Sequence, residues 1–297
     1  MRCQKKEPKI LVRMARKSDR EDVFAFCART WYWGDYISDV WDDWLKQKNG
    51  RVFVATLDGK PVGITHLEID GSDGAWLSGA RTDRNYRRLG VATTANLRAM
   101  KYAKEKGATV ARLCTRGDNR RAQAVLEKLG FRPRTTFSIQ VLKKPLAGES
   151  RNARWATEAD SKSSWNLLCS SKMYHASAGM YTVADHYHVL TEEVFLEFVR
   201  RHRAILHEDE EGQVDGTMLV DDAIGAERGE NSIQTCYVDG TAEAVCEMAA
   251  FLRSHCRALG IDKIYAFAPL CEHVIAAFEK QGFKPPGSTE IVYEKML

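Results

Sequence analysis

The feature that most constrains the fold is a repeated pattern at the two halves of the chain. Leu126-Glu127-Lys128-Leu129-Gly130-Phe131-Arg132-Pro133 returns as Phe278-Glu279-Lys280-Gln281-Gly282-Phe283-Lys284-Pro285. Arg13-Met14-Ala15-Arg16-Lys17-Ser18-Asp19 returns as Arg154-Trp155-Ala156-Thr157-Glu158-Ala159-Asp160. The spacing inside the copies is also kept, since Gly107 and Gly130 are 23 residues apart and Gly260 and Gly282 are 22 apart. Self-similarity of this kind marks a duplicated unit. Half of a 297-residue chain is enough to bury its own core. The Pro-, Gly- and Ser-containing stretch Lys143–Arg151 reads as the linker, which predicts domains at 1–145 and 152–297.

Chemistry concentrates in the first copy, between Ala75 and Phe131. A short apolar strand ending near Thr82 runs into Arg84-Asn85-Tyr86-Arg87-Arg88-Leu89-Gly90-Val91-Ala92, and a helix follows with apolar positions at Ala92, Ala95 and Ala99. A strand that delivers a basic, Gly-containing turn into a helix N-terminus gathers free backbone N–H groups and the positive end of the helix dipole at one point. The arginines at 84, 87 and 88 add full charges. Such a turn suits a phosphate, most simply a pyrophosphate.

The pattern Arg87-x-x-Gly90-x-Ala92, followed by Asn119-Arg120-Arg121-Ala122 and Glu127-Lys128-Leu129-Gly130-Phe131, resembles the two signatures of the GNAT acetyltransferase superfamily. The resemblance implies an α/β (α+β) chain of two tandem GNAT folds, each a mixed, mostly antiparallel sheet flanked by helices. It implies acetyl-CoA as co-substrate and no metal. Arg87, Arg88, Leu89, Gly90, Val91, Ala92 and Thr93 would hold the pyrophosphate. Ala80, Arg81 and Thr82, on a bulged last strand, would pair with the pantetheine arm, and Asn119 would meet it or serve only as a helix cap. The segment between the first two helices would line the acceptor pocket, which nominates Tyr32, Trp33, Asp35 and Tyr36, an aromatic wall with a carboxylate suited to a cationic amine. In that aromatic stretch Val40, Trp41 and Trp44 read equally well as the buried face of a helix. A few scattered matches resemble the histidine N-acetyltransferase-like branch and favour a small amine or amino acid as acceptor.

The other elements read in order as a strand Ile10–Met14, a helix Arg20–Arg29 capped by Ser18-Asp19, strands at 51–56 and 61–69 joined by Leu57-Asp58-Gly59-Lys60, a third strand at 76–82, a strand at 110–114, a helix at 119–129 and a strand at 137–141. His66 and Glu68 share one strand face by period two and are the base candidates, with Asp70 and Asp73 on the next turn. Many members of the family place a proton-donating tyrosine just before the closing Glu-Lys-Leu-Gly-Phe run, and here that position is Leu126. This leaves two readings open: an N-acetyltransferase, or a non-catalytic acyl-CoA-binding sensor. Binding of a nucleotide without CoA is disfavoured by the second signature.

The second copy has lost the loop. Its corresponding turn, Asp239-Gly240-Thr241-Ala242-Glu243, contains no Lys or Arg, and Cys271 stands where Asn119 stands in the first copy. It reads as an accessory domain that closes the pocket or mediates a homodimer. His175, His186 and His188 lie in a Tyr- and His-rich tract without metal-ligand spacing and read as ordinary histidines, and the eight cysteines, none in a CxxC, read as free thiols. A formal net charge of +4 with no Lys/Arg-rich tract argues against a nucleic-acid partner, and no apolar run is long enough to span a bilayer. Cytoplasmic residence is the expectation.

Overall fold

The computed structural model describes residues 9–30, 34–71 and 73–297. They form two compact units. The first contains the chain up to Leu113 together with Arg121–Arg132 and Tyr293–Leu297, and the second contains Cys114–Arg120 and Pro133–Val292. The division therefore does not fall at a single linker near residue 145, and the reason lies in two strands described below.

The elements run β1 (Ile10–Met14), α1 (Arg20–Cys27), α2 (Ile37–Lys46), β2 (Gly50–Leu57), β3 (Lys60–Asp70), β4 (Gly74–Thr82), α3 (Val91–Glu105), β5 (Val110–Arg116), α4 (Arg120–Lys128) and β6 (Arg132–Lys143). In the first unit β1, β2, β3 and β4 pair antiparallel in sequence order. β5 then joins β4 in parallel through Gly74–Trp76 and Val110–Arg112, as the crossover helix α3 requires. Alternation along β2 decides the two faces. Val52 and Val54 meet Val23, Phe26, Ile37 and Trp41 of α1 and α2. Ala55 meets Val91 and Ala95 of α3, and the Phe53 ring lies 5.6 Å from Tyr102 of the same helix.

The second unit is built the same way from β7 (Ala153–Trp155), α5 (Ser161–Ser170), α6 (Lys172–Ala176), β8 (Met180–Val183), β9 (His186–Val189), α7 (Glu192–Arg200), β10 (Ala204–Glu208), β11 (Val214–Asp221), α8 (Ala223–Arg228), β12 (Ser232–Gly240), α9 (Ala242–Ala258), β13 (Lys263–Pro269), α10 (Glu272–Lys280) and β14 (Lys284–Met296). Its strands pair in the order β7, β10, β11, β12, β13, with β12 and β13 parallel. The hairpin β8–β9 is an addition that carries His186 and His188, and the side chain of Gln234 ties it down by accepting from Ala184 N at 2.9 Å and donating to Thr182 O at 2.9 Å. Its core gathers Met218, Val220, Val245, Met248, Ile264 and Phe278.

Two features move the boundary away from residue 145. β6, which the sequence assigns to the first copy, pairs antiparallel with β13 over Phe137–Lys143 and belongs to the second unit. The last residues of β14 belong to the first, where Arg112 pairs with Glu294 at 2.8 Å and Leu297 N donates to Thr109 O at 2.8 Å.

The duplication is visible in atomic detail. Arg13 forks onto Asp19 with N–O distances of 2.7 and 2.6 Å, and the same carboxylate accepts from Arg16 N at 2.7 Å. Arg154 forks onto Asp160 at 2.8 and 2.8 Å, with Thr157 N at 2.7 Å. This engagement corrects the expected role of Asp19, whose side chain makes no cap to α1, and the helix ends at Cys27 rather than Arg29. Among the described residues no helix is long and apolar enough to cross a membrane. The seven cysteines among them are all free.

Candidate active site

The strand that enters the basic turn is bulged. β3 pairs Ile64 with Arg81 and then His66 with Ser78, so Gly79 and Ala80 on β4 oppose Thr65 alone. Gly79 has φ +60°, and a Cβ there would lie 2.5 Å from the Trp44 ring, so both the backbone and the space require glycine. The pairing between β4 and β5 stops at Trp76, while β4 continues to Thr82. The backbone of Ala80, Arg81 and Thr82 thus lies beyond the last pair with β5, at the bulge.

Beyond Thr82, Asp83 caps a short turn by accepting from Asn85 N at 3.0 Å, and the chain reaches Gly90, which caps α3 at φ +81°. The N-cap Gly90 offers no side chain and no acidic residue sits in the first turn, so among the described residues no cap is made to the amides of Val91, Ala92 and Thr93, which stand at the positive end of the helix dipole. Val91 and Ala95 are buried, and Asn96, buried too, accepts from Thr65 Oγ1 at 3.2 Å, which fixes the helix start against β3. Burial, and then the guanidinia of Arg84 and Arg121, pull the Arg87 pKa below its ordinary value. Cations crowded in this way are relieved by an anion. Arg87, Arg88, Leu89 and Gly90 are exposed. Asn119 precedes α4 and falls in the second unit, where its N–H donates to Arg116 O at 3.0 Å.

The acceptor-side residues lie on α2 and its entry. Tyr32 and Trp33 fall outside the described residues. Asp35 is not free to meet a cationic amine: Arg81 donates to it at 2.7 and 3.2 Å, and the Asp35 side chain is only 1% exposed. The same guanidinium lies 5.3 Å from the Tyr36 ring. Within α2, Trp41 is fully buried and Trp44 half-buried, which places both on the face that packs on the sheet.

His66 and Glu68 sit very differently. Glu68 is half-buried and accepts from Asn49 Nδ2 at 3.0 Å. His66 is 2% exposed, with Trp44 stacked on it at 4.1 Å and 3° between planes. Its Nε2 lies 2.9 Å from Gln47 Oε1, an acceptor, so Nε2 carries the proton. Nδ1 then accepts from the Ser78 hydroxyl at 3.0 Å. Ser78 is half-buried and immediately precedes the bulge. Sequence reasoning missed both Gln47 and Ser78, and only the strand register, which sets Ser78 opposite His66, could have signalled the latter. Leu126, buried at 5%, supplies no hydroxyl.

The sequence signature of the acetyltransferase (GNAT) family matches residues 19–131, the span that holds this turn, the bulge and α4. Over residues 19–131 the chain is similar to the GNAT family. No curated protein sequence matches the chain. The fold of the whole chain is that of tandem GNAT proteins. A GCN5-related N-acetyltransferase from Sphaerobacter thermophilus has a similar structure (TM-score 0.65, 12% identity, 97% of this chain and 95% of that one). So has a putative acetyltransferase from Thermoplasma acidophilum (TM-score 0.59, 14% identity, 97% and 100%). A tandem GNAT protein from the clavulanic acid biosynthesis pathway has a TM-score of 0.56 at 13% identity, over 97% of this chain and 98% of that one.

The second unit keeps the shape of the loop region and inverts its charge. β12 bulges at Cys236 and runs past its last pair with β13 to Gly240, where α9 begins. A cavity of about 580 Å³ opens there, and among the described residues its wall carries Asp209, Asp215 and Asp239 and no Lys or Arg.

Proposed function

We propose that the first unit is an acetyl-CoA-dependent N-acetyltransferase acting by direct transfer, in a ternary complex, to the primary amine of a small molecule or amino acid, with the second unit accessory. The observation that carries this reading is the N-terminus of α3, preceded in the chain by the exposed Arg84, Arg87 and Arg88 and reached through a bulged strand. The amides of Gly90–Thr93 and the guanidinia of Arg87 and Arg88 hold the pyrophosphate. The edge of Ala80–Thr82 turned away from β3, beyond the last pair with β5, holds the pantetheine arm and polarises the thioester carbonyl. The amine nitrogen attacks that carbonyl, its proton passes through the Ser78 hydroxyl to His66 Nδ1, and the carbon–sulfur bond breaks. Gln47 keeps His66 in the tautomer that can accept. Because Arg81 neutralises Asp35, the acceptor meets an aromatic, uncharged wall and enters as the free amine. The thiolate takes its proton from a donor other than residue 126.

Leu126 also favours a second reading, a non-catalytic acyl-CoA-binding sensor. Thermal stability with acetyl-CoA, CoA and ATP, for the native chain and for Arg87→Ala/Arg88→Ala, is followed on the same samples by thiol release with a panel of amines. Acetyl-CoA at a hundred times its dissociation constant is expected to add about 2.7 kcal/mol, lost in the double variant. Thiol release with one amine class, lowered on the order of a hundredfold by His66→Asn or Ser78→Ala, supports the enzyme. Stabilisation without turnover supports the sensor, and no stabilisation by acetyl-CoA overturns both.

A further inference from the structure

The second unit holds a nucleophile that the acetyl-transfer reading does not use. Cys271, half-buried, stands at the N-cap of α10, and its Sγ lies 3.0 Å from His273 Nδ1. His273 Nε2 lies 3.1 Å from the carbonyl oxygen of Gly240. A carbonyl can only accept, so Nε2 carries the ring proton and Nδ1 presents its lone pair to the thiol. The thiol is therefore the donor, and the imidazole is oriented as its base in the way an adjacent third group orients nucleophile–base pairs. Cys271 immediately precedes the nine-residue α10, and the positive end of that helix dipole favours negative charge as it develops on the sulfur. His273 also lines the acid-walled cavity at the end of β12. That wall is organised: Asp239, 4% exposed, accepts from Ser171 Oγ at 2.7 Å and Tyr237 OH at 2.8 Å, and Asp215 accepts from Thr241 Oγ1 at 3.1 Å and pairs through its other oxygen with His207 Nδ1.

We propose that Cys271 and His273 form a thiol–disulfide exchange site for small neutral or cationic disulfides, which the carboxylates of Asp209, Asp215 and Asp239 admit while they turn away anionic ones. In the step, Cys271 sulfur attacks one sulfur of R–S–S–R and its proton passes to His273 Nδ1. The Cys271–S–S–R bond forms, the R–S–S–R bond breaks, and the departing RS⁻ recovers the proton from His273 as RSH. The disulfide is the oxidant, half of it reduced to thiol, and Cys271 is oxidised to a mixed disulfide.

The chain contains its own control. Cys169 is exposed, so accessibility alone would make it react before half-buried Cys271. The full-length protein is treated with cystamine (cationic), 2-hydroxyethyl disulfide (neutral) or 3,3′-dithiodipropionate (dianionic), and modification of each cysteine is followed in time by peptide mass mapping. Cys271 is expected to outpace Cys169 at least tenfold with the first two reagents, and that advantage is expected to fall at least fivefold with the third. His273→Ala, and His273→Asn as a more conservative second variant, are expected to bring Cys271 to the rate of Cys169 with unchanged circular dichroism; His273 is exposed, so both should fold. Equal rates at the two cysteines, or an unaltered rate in the folded His273 variants, overturn the dyad. An advantage as large with the dianionic disulfide overturns the charge selection.

Discussion

Arg81 and Asp35 give the sharpest test of how the first unit is held. Both ends of the pair are out of water, with side chains 13% and 1% exposed, and the contact is bidentate. Burial disfavours the Arg81 cation and its hydrogen bonds to Asp35 more than compensate, so its pKa stays above the ordinary value. Removing one partner strands the other as an unpaired buried charge, which costs about 3–5 kcal/mol. The packing of the guanidinium against Tyr36 contributes roughly a further 0.5–1 kcal/mol. Arg81→Met or Asp35→Leu alone is therefore expected to lose about 4 kcal/mol, a large part of the ~5–15 kcal/mol of a typical domain, and to lower Tm by about 10 °C. Arg81→Met/Asp35→Leu leaves no stranded charge and is expected to recover most of the loss, giving a coupling energy of at least about 2 kcal/mol in the cycle. The assay is urea unfolding followed by tryptophan fluorescence. If Asp35→Leu alone costs less than about 1 kcal/mol, or if the double variant is as unstable as the two singles combined, the buried-pair argument is wrong, and Asp35 returns as a ligand for the amine.

Two further outcomes follow from single sites. Gly79→Ala forces a left-handed backbone on a residue with a Cβ, at about 1–2 kcal/mol, and drives that Cβ into Trp44, so a stability loss of about 2 kcal/mol with a shifted tryptophan emission is expected; a loss below about 0.5 kcal/mol in urea unfolding would sink the account of the bulge. The Arg154 guanidinium holds the Asp160 carboxyl well below the usual carboxylate range, so the pair's stabilisation is present above the unfolded-state value near ~3.9 and is lost as pH falls. Asp160→Asn should therefore lose about 1 kcal/mol at pH 7, a figure reduced for the half-exposed arginine, and less at pH 3; a loss that stays constant between those two pH values refutes the linkage.

Much of the fold was legible because it is written locally. The Asp58-Gly59 turn between two alternating runs predicts the β2–β3 hairpin, and the basic turn before an apolar-striped helix predicts the approach to α3. The Arg13/Arg154 repeat pointed to the duplication, although its purpose, a fork onto Asp19 and Asp160, could not be read from an Asp that also looks like a cap. What stayed hidden is long-range. Asp35 and Arg81 are separated by 46 residues, and Gln47 and His66 by 19; nothing near either residue announces its partner. His66 was found by residue type, but its enclosure by Trp44, Gln47 and Ser78 depends on strand register and on where α2 lands. The edge that β6 joins was equally hidden, because an alternating strand carries no mark of which neighbour it will take.

The exchange of terminal strands has a consequence for how such a chain is made and how it evolves. The first unit gains Glu294 for Arg112 and Leu297 for Thr109 only after residues 293–297 have left the ribosome, so its early residues wait through the synthesis of the whole second unit. β6, made early, waits in turn for β13. Neither half can be cut away as a contiguous piece without taking a strand from the other. The turn Asp239–Glu243 of the second copy carries no Lys or Arg where the first carries three, so the two copies differ in charge there, yet neither can be discarded without breaking the other.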